Sequence, residues 1–119
     1  MPNVTVEALK TKSDFDKALS KDKKVVVFFS ATWCPPCKQV TPIFNRLANN
    51  TNIAFYKVDV DENAETATYE EVTAMPTFKF FINGVEIEEL TFEGTNQETL
   101  TKNLKTFEDG NQTKSKAVK

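Results

Sequence analysis

The stretch VVVFFSATWCPPCKQV, residues 25–40, joins an unbroken apolar run to the only two cysteines of a 119-residue chain. Val25 to Phe29 shows no alternation of apolar and polar residues, which is the pattern of a strand covered on both faces. Beyond the cysteines, CKQVTPIFNRLAN places Val40, Ile43, Phe44 and Leu47 at helical spacing. Pro42 lies inside that helix and is expected to kink it. Cys34 and Cys37 therefore fall where a buried strand gives way to a helix.

Elements of both periods flank this unit. NVTVEAL (3–9) is a short β-branched run, followed by KSDFDKALS (12–20), a helix with Ser13 or Asp14 as cap and Phe15, Ala18 and Leu19 on one face. NIAFYKVDVD (52–61) alternates as a strand does, and ENAETATYEEV (62–72) reads as a short acidic helix. PTFKFFI (76–82) and VEIEELTF (85–92) are joined by Asn83-Gly84, the pair favoured in a type I′ turn, and predict a hairpin. NQETLTKNLKTF (96–107) is amphipathic, with Leu100, Leu104 and Phe107 in line. The order β-α-β-α-β-α-β-β-α predicts an α/β layer architecture in one domain over 1–107. The polar remainder, 108–119, reads as a flexible tail.

Composition narrows the functional classes. Hydrophobic residues at 39% and charged residues at 27% predict a soluble globular domain with one core, and ten phenylalanines make that core aromatic. A net charge of −2 offers no basic patch for nucleic acid or an anionic membrane. The apolar run Val25–Phe29 is far below the ~20 residues that span a bilayer. MPNVTVEALK lacks the basic and then apolar regions of a secretory signal. No nucleic acid, no membrane and a cytoplasmic, reducing location are therefore expected. Histidine is absent, which removes Cys-His and Ser-His nucleophile pairs and two-His metal clamps. Two cysteines cannot complete a four-thiolate zinc site within one chain, so no metal is expected.

Three readings of the cysteine pair compete. A structural disulfide over so short a loop removes little entropy from the unfolded chain. Half of a metal site shared with a second chain would need a ribbon or coiled-coil setting, and the pattern shows neither. Exchange chemistry fits the position. At a helix N-terminus Cys34 meets free backbone N–H groups and the positive end of the dipole, which favour thiolate, the attacking species. Cys37, one turn later, is placed to attack a mixed disulfide formed at Cys34. Pro35 and Pro36 lack N–H groups, which matters least in the first helical turn. Lys38 is either a solvated helix lysine or a charge that tunes Cys34.

Four segments in order, VVVFFSATWCPPCKQVTPIF, YKVDVDEN, VTAMPTFKFFINGVEI and FEG before the last helix, resemble the thioredoxin family over roughly residues 4–107. The resemblance implies a five-stranded mixed sheet in order 1-3-2-4-5 flanked by four helices. It implies a thiol–disulfide oxidoreductase that cycles between the Cys34–Cys37 dithiol and disulfide and reduces disulfide-containing protein substrates. Cys34 would be the nucleophile and Cys37 the resolving thiol. Trp33 would shield the pair, and Pro76 would be a cis proline facing it. Met75 would pair its backbone with an extended substrate segment, and Gly94 would let the partner approach closely. The family takes electrons from NADPH through a separate flavoprotein, thioredoxin reductase, so no bound cofactor is implied; a monomer is expected.

Two departures from the family pattern bear on mechanism. Most thioredoxins have Gly-Pro between the cysteines, whereas Pro35-Pro36 is an insert shared with tryparedoxins, nucleoredoxins and some thioredoxins. Pro35 stiffens the loop and removes a donor near Cys34. A tryparedoxin- or nucleoredoxin-like oxidoreductase with another electron donor is thus a second reading. Thioredoxins also usually carry a buried Asp six residues before the first cysteine, accompanied by a lysine; here the positions hold Phe28 and Lys57. Without that carboxylate, Cys37 must give its proton to water, to a substrate group, or to Asp59 or Asp61. Lys57 is then expected to turn to solvent or pair with an acidic neighbour. Phe28 also leaves open a third reading, a thioredoxin-fold interaction module with little turnover.

Overall fold

The computed structural model describes residues 6–48 and 52–110. The elements in chain order are β1 (Glu7–Ala8), α1 (Lys12–Lys21), β2 (Lys24–Ser30), α2 (Pro35–Leu47), β3 (Ala54–Asp59), α3 (Ala64–Tyr69), β4 (Thr77–Ile82), β5 (Val85–Glu86), β6 (Phe92–Glu93) and α4 (Gln97–Asp109). The sheet runs β1-β3-β2-β4-β5, with β1 and β2 parallel to β3 and β4 antiparallel to β2. This is the mixed α/β topology expected, with four helices, and with one strand more than the five foreseen. VEIEELTF does not run as a single strand. Ile87 and Leu90 turn inward, 1% and 5% exposed, and a spacing of three suits a 3-10 turn over Glu88–Leu90, not a pleat. The segment therefore meets β4 twice: β5 pairs with Phe81 and Ile82, and β6 with Thr77 and Phe78.

The central strand is covered on both sides. Val26 and Phe28 pack with Val40 and Phe44 of α2 and with Leu100, Leu104 and Phe107 of α4. Val25, Val27 and Phe29 pack with Phe15 and Ala18 of α1. None of the five is more than 2% exposed. The turn between β4 and β5 has left-handed φ values of 52° at Asn83 and 83° at Gly84, as a type I′ hairpin requires.

Local hydrogen bonds set the helix ends. Thr11, not Ser13 or Asp14, caps α1: its Oγ1 accepts the Asp14 N–H at 3.0 Å. α2 is one uninterrupted element through Pro42. α4 runs on past Phe107 through Glu108 and Asp109. Near its end, Lys24 Nζ donates to the carbonyls of Phe107 and Glu108 at 3.0 and 3.1 Å. Residues 3–5 of the expected first strand and 111–119 of the expected tail lie outside the described residues.

Candidate active site

Cys34 is the N-cap of α2. Pro35 and Pro36 occupy the first helical positions, so the first N–H available to the cap is that of Cys37, which is donated to Cys34 Sγ at 3.2 Å. A thiolate at Cys34 would be met by that donor and by the positive end of α2. Cys34 and Cys37 are joined in a disulfide, their Cα atoms 5.3 Å apart. Both residues are buried, while Pro35, Pro36 and Lys38 are exposed around them.

Two loops close on the pair. Met75-Pro76 is a cis peptide, and the Met75 carbonyl oxygen lies 3.8 Å from Cys34 Sγ. The Gly94 N–H donates to the Pro76 carbonyl at 2.9 Å, prolonging the β6–β4 ladder up to the cysteines. Gly94 adopts φ +112°, and a Cβ there would meet no atom within 4 Å. Backbone conformation, not crowding, calls for glycine at this open edge. Trp33 is 61% exposed, and its indole Nε1–H donates to Asp61 Oδ2 at 2.7 Å. Asp59 Oδ1 accepts the N–H groups of Asp61 and Glu62 at 2.8 and 3.1 Å, forming the turn that presents Asp61. The Asp61 contact with Trp33 was not foreseen. Its signal in the sequence is an Asp at a strand end followed two residues later by another, which marks an Asx turn.

Phe28 lies deep behind this rim, its ring stacked on Phe78 with centroids 5.0 Å apart and 5.1 Å from the ring of Phe44. Lys57 is its register partner across β2 and β3. As expected for a lysine without its usual partner, Lys57 is exposed to solvent, and it makes no ion pair among the described residues. A cleft of about 530 Å³ beside Cys37 is lined by Lys10, Lys38, Lys57, Asp59 and Glu62 among others. The described residues contain no cluster of three or more His, Cys, Asp or Glu able to hold a metal.

The thioredoxin family model matches residues 6–106. The chain belongs to the thioredoxin family. It is 46% identical over 103 residues to a thioredoxin of the sponge Geodia cydonium, covering 84% of this chain and 96% of that protein. Against human thioredoxin the identity is 45% over 98 residues, covering 80% and 91% of the two chains. Among solved structures, the thioredoxin of Malassezia sympodialis superposes with a TM-score of 0.84 at 35% identity, covering 91% of this chain and 95% of that one. Thioredoxins are thiol–disulfide oxidoreductases, and the Cys34–Cys37 disulfide at the strand-to-helix junction is the redox-active pair of this one.

Proposed function

We propose that the chain is a protein disulfide reductase serving electron transport and cell redox homeostasis, with Cys34 as attacking thiol and Cys37 as resolving thiol. The observation that carries this division is the setting of Cys34 Sγ, which accepts the Cys37 N–H at the helix cap and lies beside the Met75 carbonyl. In the dithiol form, Cys34 thiolate attacks one sulfur of a substrate disulfide. The substrate S–S bond breaks, a Cys34–substrate mixed disulfide forms, and the first substrate thiolate leaves and takes a proton. Cys37 then loses its proton and attacks Cys34 Sγ, which expels the second substrate thiol and forms the Cys34–Cys37 disulfide. The substrate has gained two electrons and the protein has lost them.

The groove for the substrate segment is formed by Trp33, Met75, Pro76 and Gly94. The Met75 backbone pairs with an extended strand, and the open edge at Gly94 admits the partner closely. Pro35, Pro36, Lys38, Phe28 and Lys57 modulate the pair. Electrons arrive from NADPH through thioredoxin reductase, the protein acts as a monomer, and the compartment is reducing, such as the cytoplasm. No helix among the described residues is long and apolar enough to cross a membrane, and the acidic balance gives no support for nucleic-acid binding.

Insulin reduction driven by dithiothreitol tests the reading. Wild-type protein should accelerate precipitation of the insulin B chain, and Cys34→Ser should abolish the acceleration. No acceleration by the wild type would favour an interaction module instead. Replacing dithiothreitol by NADPH and thioredoxin reductase tests the donor: activity with dithiothreitol alone would point to a different electron donor, as in tryparedoxins.

A further inference from the structure

Beyond Gly110 the sequence continues as NQTKSKAVK, residues 111–119, with Lys114, Lys116 and Lys119 and no acidic residue. The 110 residues before them carry twelve basic side chains against seventeen acidic ones. A basic extension thus follows an acidic chain. Lys24 Nζ donates to the carbonyls of Phe107 and Glu108, so the chain leaves α4 at Gly110 beside the start of β2. The residues just before β2, Asp22 and Lys23, line a cleft of about 650 Å³ on the face of the sheet that carries α1. Its apolar lining is Phe15, Leu19 and Phe81. Its other end is closed by Tyr69, 65% exposed, whose ring lies 4.0 Å from Lys12 Nζ at the start of α1. Carboxylates outnumber cations around this space. Asp16, Asp22, Glu70 and Glu86 line it with a single lysine, Lys23. Lys12 pairs with Asp16, and Lys79 with Glu70 and Glu86. Asp22 receives the Tyr56 hydroxyl and makes no ion pair among the described residues. Nor does Glu71, which lines an adjoining cleft that shares Tyr69, Glu70 and Glu86.

We infer that residues 111–119 fold back as a strap into the cleft between α1 and the end of α3, their lysines set against its carboxylates and Val118 against its apolar lining. The length suffices: nine extended residues reach about 30 Å, twice the roughly 15 Å length of α1. Ion pairs at an exposed rim are individually weak, so the strap depends on its three lysines acting together and on apolar contact. Its covalent attachment also favours it over any free segment, because a short flexible tether holds it at an effective concentration of order millimolar. The same tether favours the chain's own extension over that of a second copy. Salt should release the strap, since its charges sit at the surface. The inference stands apart from the redox chemistry, which belongs to the opposite face of the sheet.

The test locates the extension directly. In the oxidised full-length chain Ser115→Cys provides one free thiol, which takes a maleimide nitroxide, and the broadening of backbone amide signals is read by NMR at low salt. The amides of Leu19, Ser20 and Tyr69 should fall to less than about half of their intensity with a diamagnetic label. Replacing the three lysines together (Lys114→Glu, Lys116→Glu and Lys119→Glu) should restore most of that intensity, and so should raising the ionic strength of the unaltered extension. Broadening at these amides that is equal for the lysine and glutamate extensions overturns the inference, because it would reflect mere nearness of the end of α4. Broadening centred on another part of the surface overturns it as well. A mixture of nitroxide-labelled chains with isotope-enriched unlabelled ones separates the remaining occupant: cleft broadening in the unlabelled chains would assign the cleft to a second copy and overturn the intramolecular strap, whereas none is expected.

Discussion

Under α2 and α4 the core is a chain of rings, Phe28, Phe44, Phe55, Phe78, Phe80 and Phe107, with the two cysteines at its rim. Under α1 and α3 the same sheet buries Val25, Val27, Phe29 and Phe81, but also Lys79, which is 9% exposed. Lys79 Nζ donates to the Glu70 carbonyl at 2.7 Å and lies 3.3 Å from Glu70 Oε1 and 3.6 Å from Glu86 Oε1. Thr91 Oγ1 in turn donates to Glu86 Oε2 at 2.7 Å. On that face Tyr56 Oη also donates to Asp22 Oδ2 at 2.6 Å, and burial, with that bond, pushes the phenol well above its ordinary value of 10.0. Charge is thus buried where the end of α3 supplies acceptors, whereas beside Cys37 the charged side chains line an open cleft. The two faces do different jobs: one sets the chemistry, the other carries the polar fastening.

The largest effect should follow from placing a charge on the ring face. Phe28→Asp removes a ring that stacks on Phe78 and touches Phe44. Loss of the ring alone is worth about 3–5 kcal/mol, and burying the carboxylate adds to that. Urea unfolding measures the loss, and disulfide-reduction rates from pH 6 to 9 measure the chemistry. An unchanged pH profile would show that the dry floor has no part in the resolving step. Removing the cation from the opposite face should cost stability and leave the chemistry alone. Lys79→Met leaves Glu70 and Glu86 without their cation and should destabilise by about 2–3 kcal/mol, less than a fully buried pair because Glu86 is partly exposed. Insulin reduction should stay near wild type.

A smaller, pH-dependent effect belongs to Glu70. Burial is the main cause that raises its carboxyl above the ordinary 4.5, against the pull of Lys79. The folded state then holds this proton more tightly than the unfolded chain. Its contribution to stability is present below the unfolded value and is lost as pH rises through the folded one. Glu70→Gln should remove that decline, so that urea midpoints at pH 4 and pH 7 lie closer together than in the wild type. The smallest effect should come from Asp61→Asn, which replaces a charged acceptor of an exposed indole. We expect at most about 1 kcal/mol in stability and a modest fall in insulin-reduction rate; a large fall in stability would make Asp61 part of the scaffold.

The unit from Val25 to Leu47 was legible because each of its parts carries a separate physical signal: a two-sided apolar strand, prolines at the helix start and apolar residues at helical spacing. The Asn83-Gly84 turn was legible for the same reason. Lys79 was not. In PTFKFFI a single lysine among apolar residues reads as the solvent side of a strand, and only the tertiary placement of Glu70 at the end of α3 shows that this side is covered. The Thr11 cap escaped because Ser13 and Asp14 carry equally good oxygens nearby, and helix start is decided by which one reaches an N–H. The break between β5 and β6 escaped because Ile87 and Leu90 fit a turn only once a core exists to receive both.

That break also shapes how the molecule meets copies of itself. A strand's free edge is a row of unpaired donors and acceptors, and a long flat one invites a second chain to add on. Here the outermost edge beyond β4 consists of two strands of two residues each, separated by a turn and studded with Glu86, Glu88, Glu89 and Glu93. Interruption and like charge both work against a second copy extending the sheet along this edge.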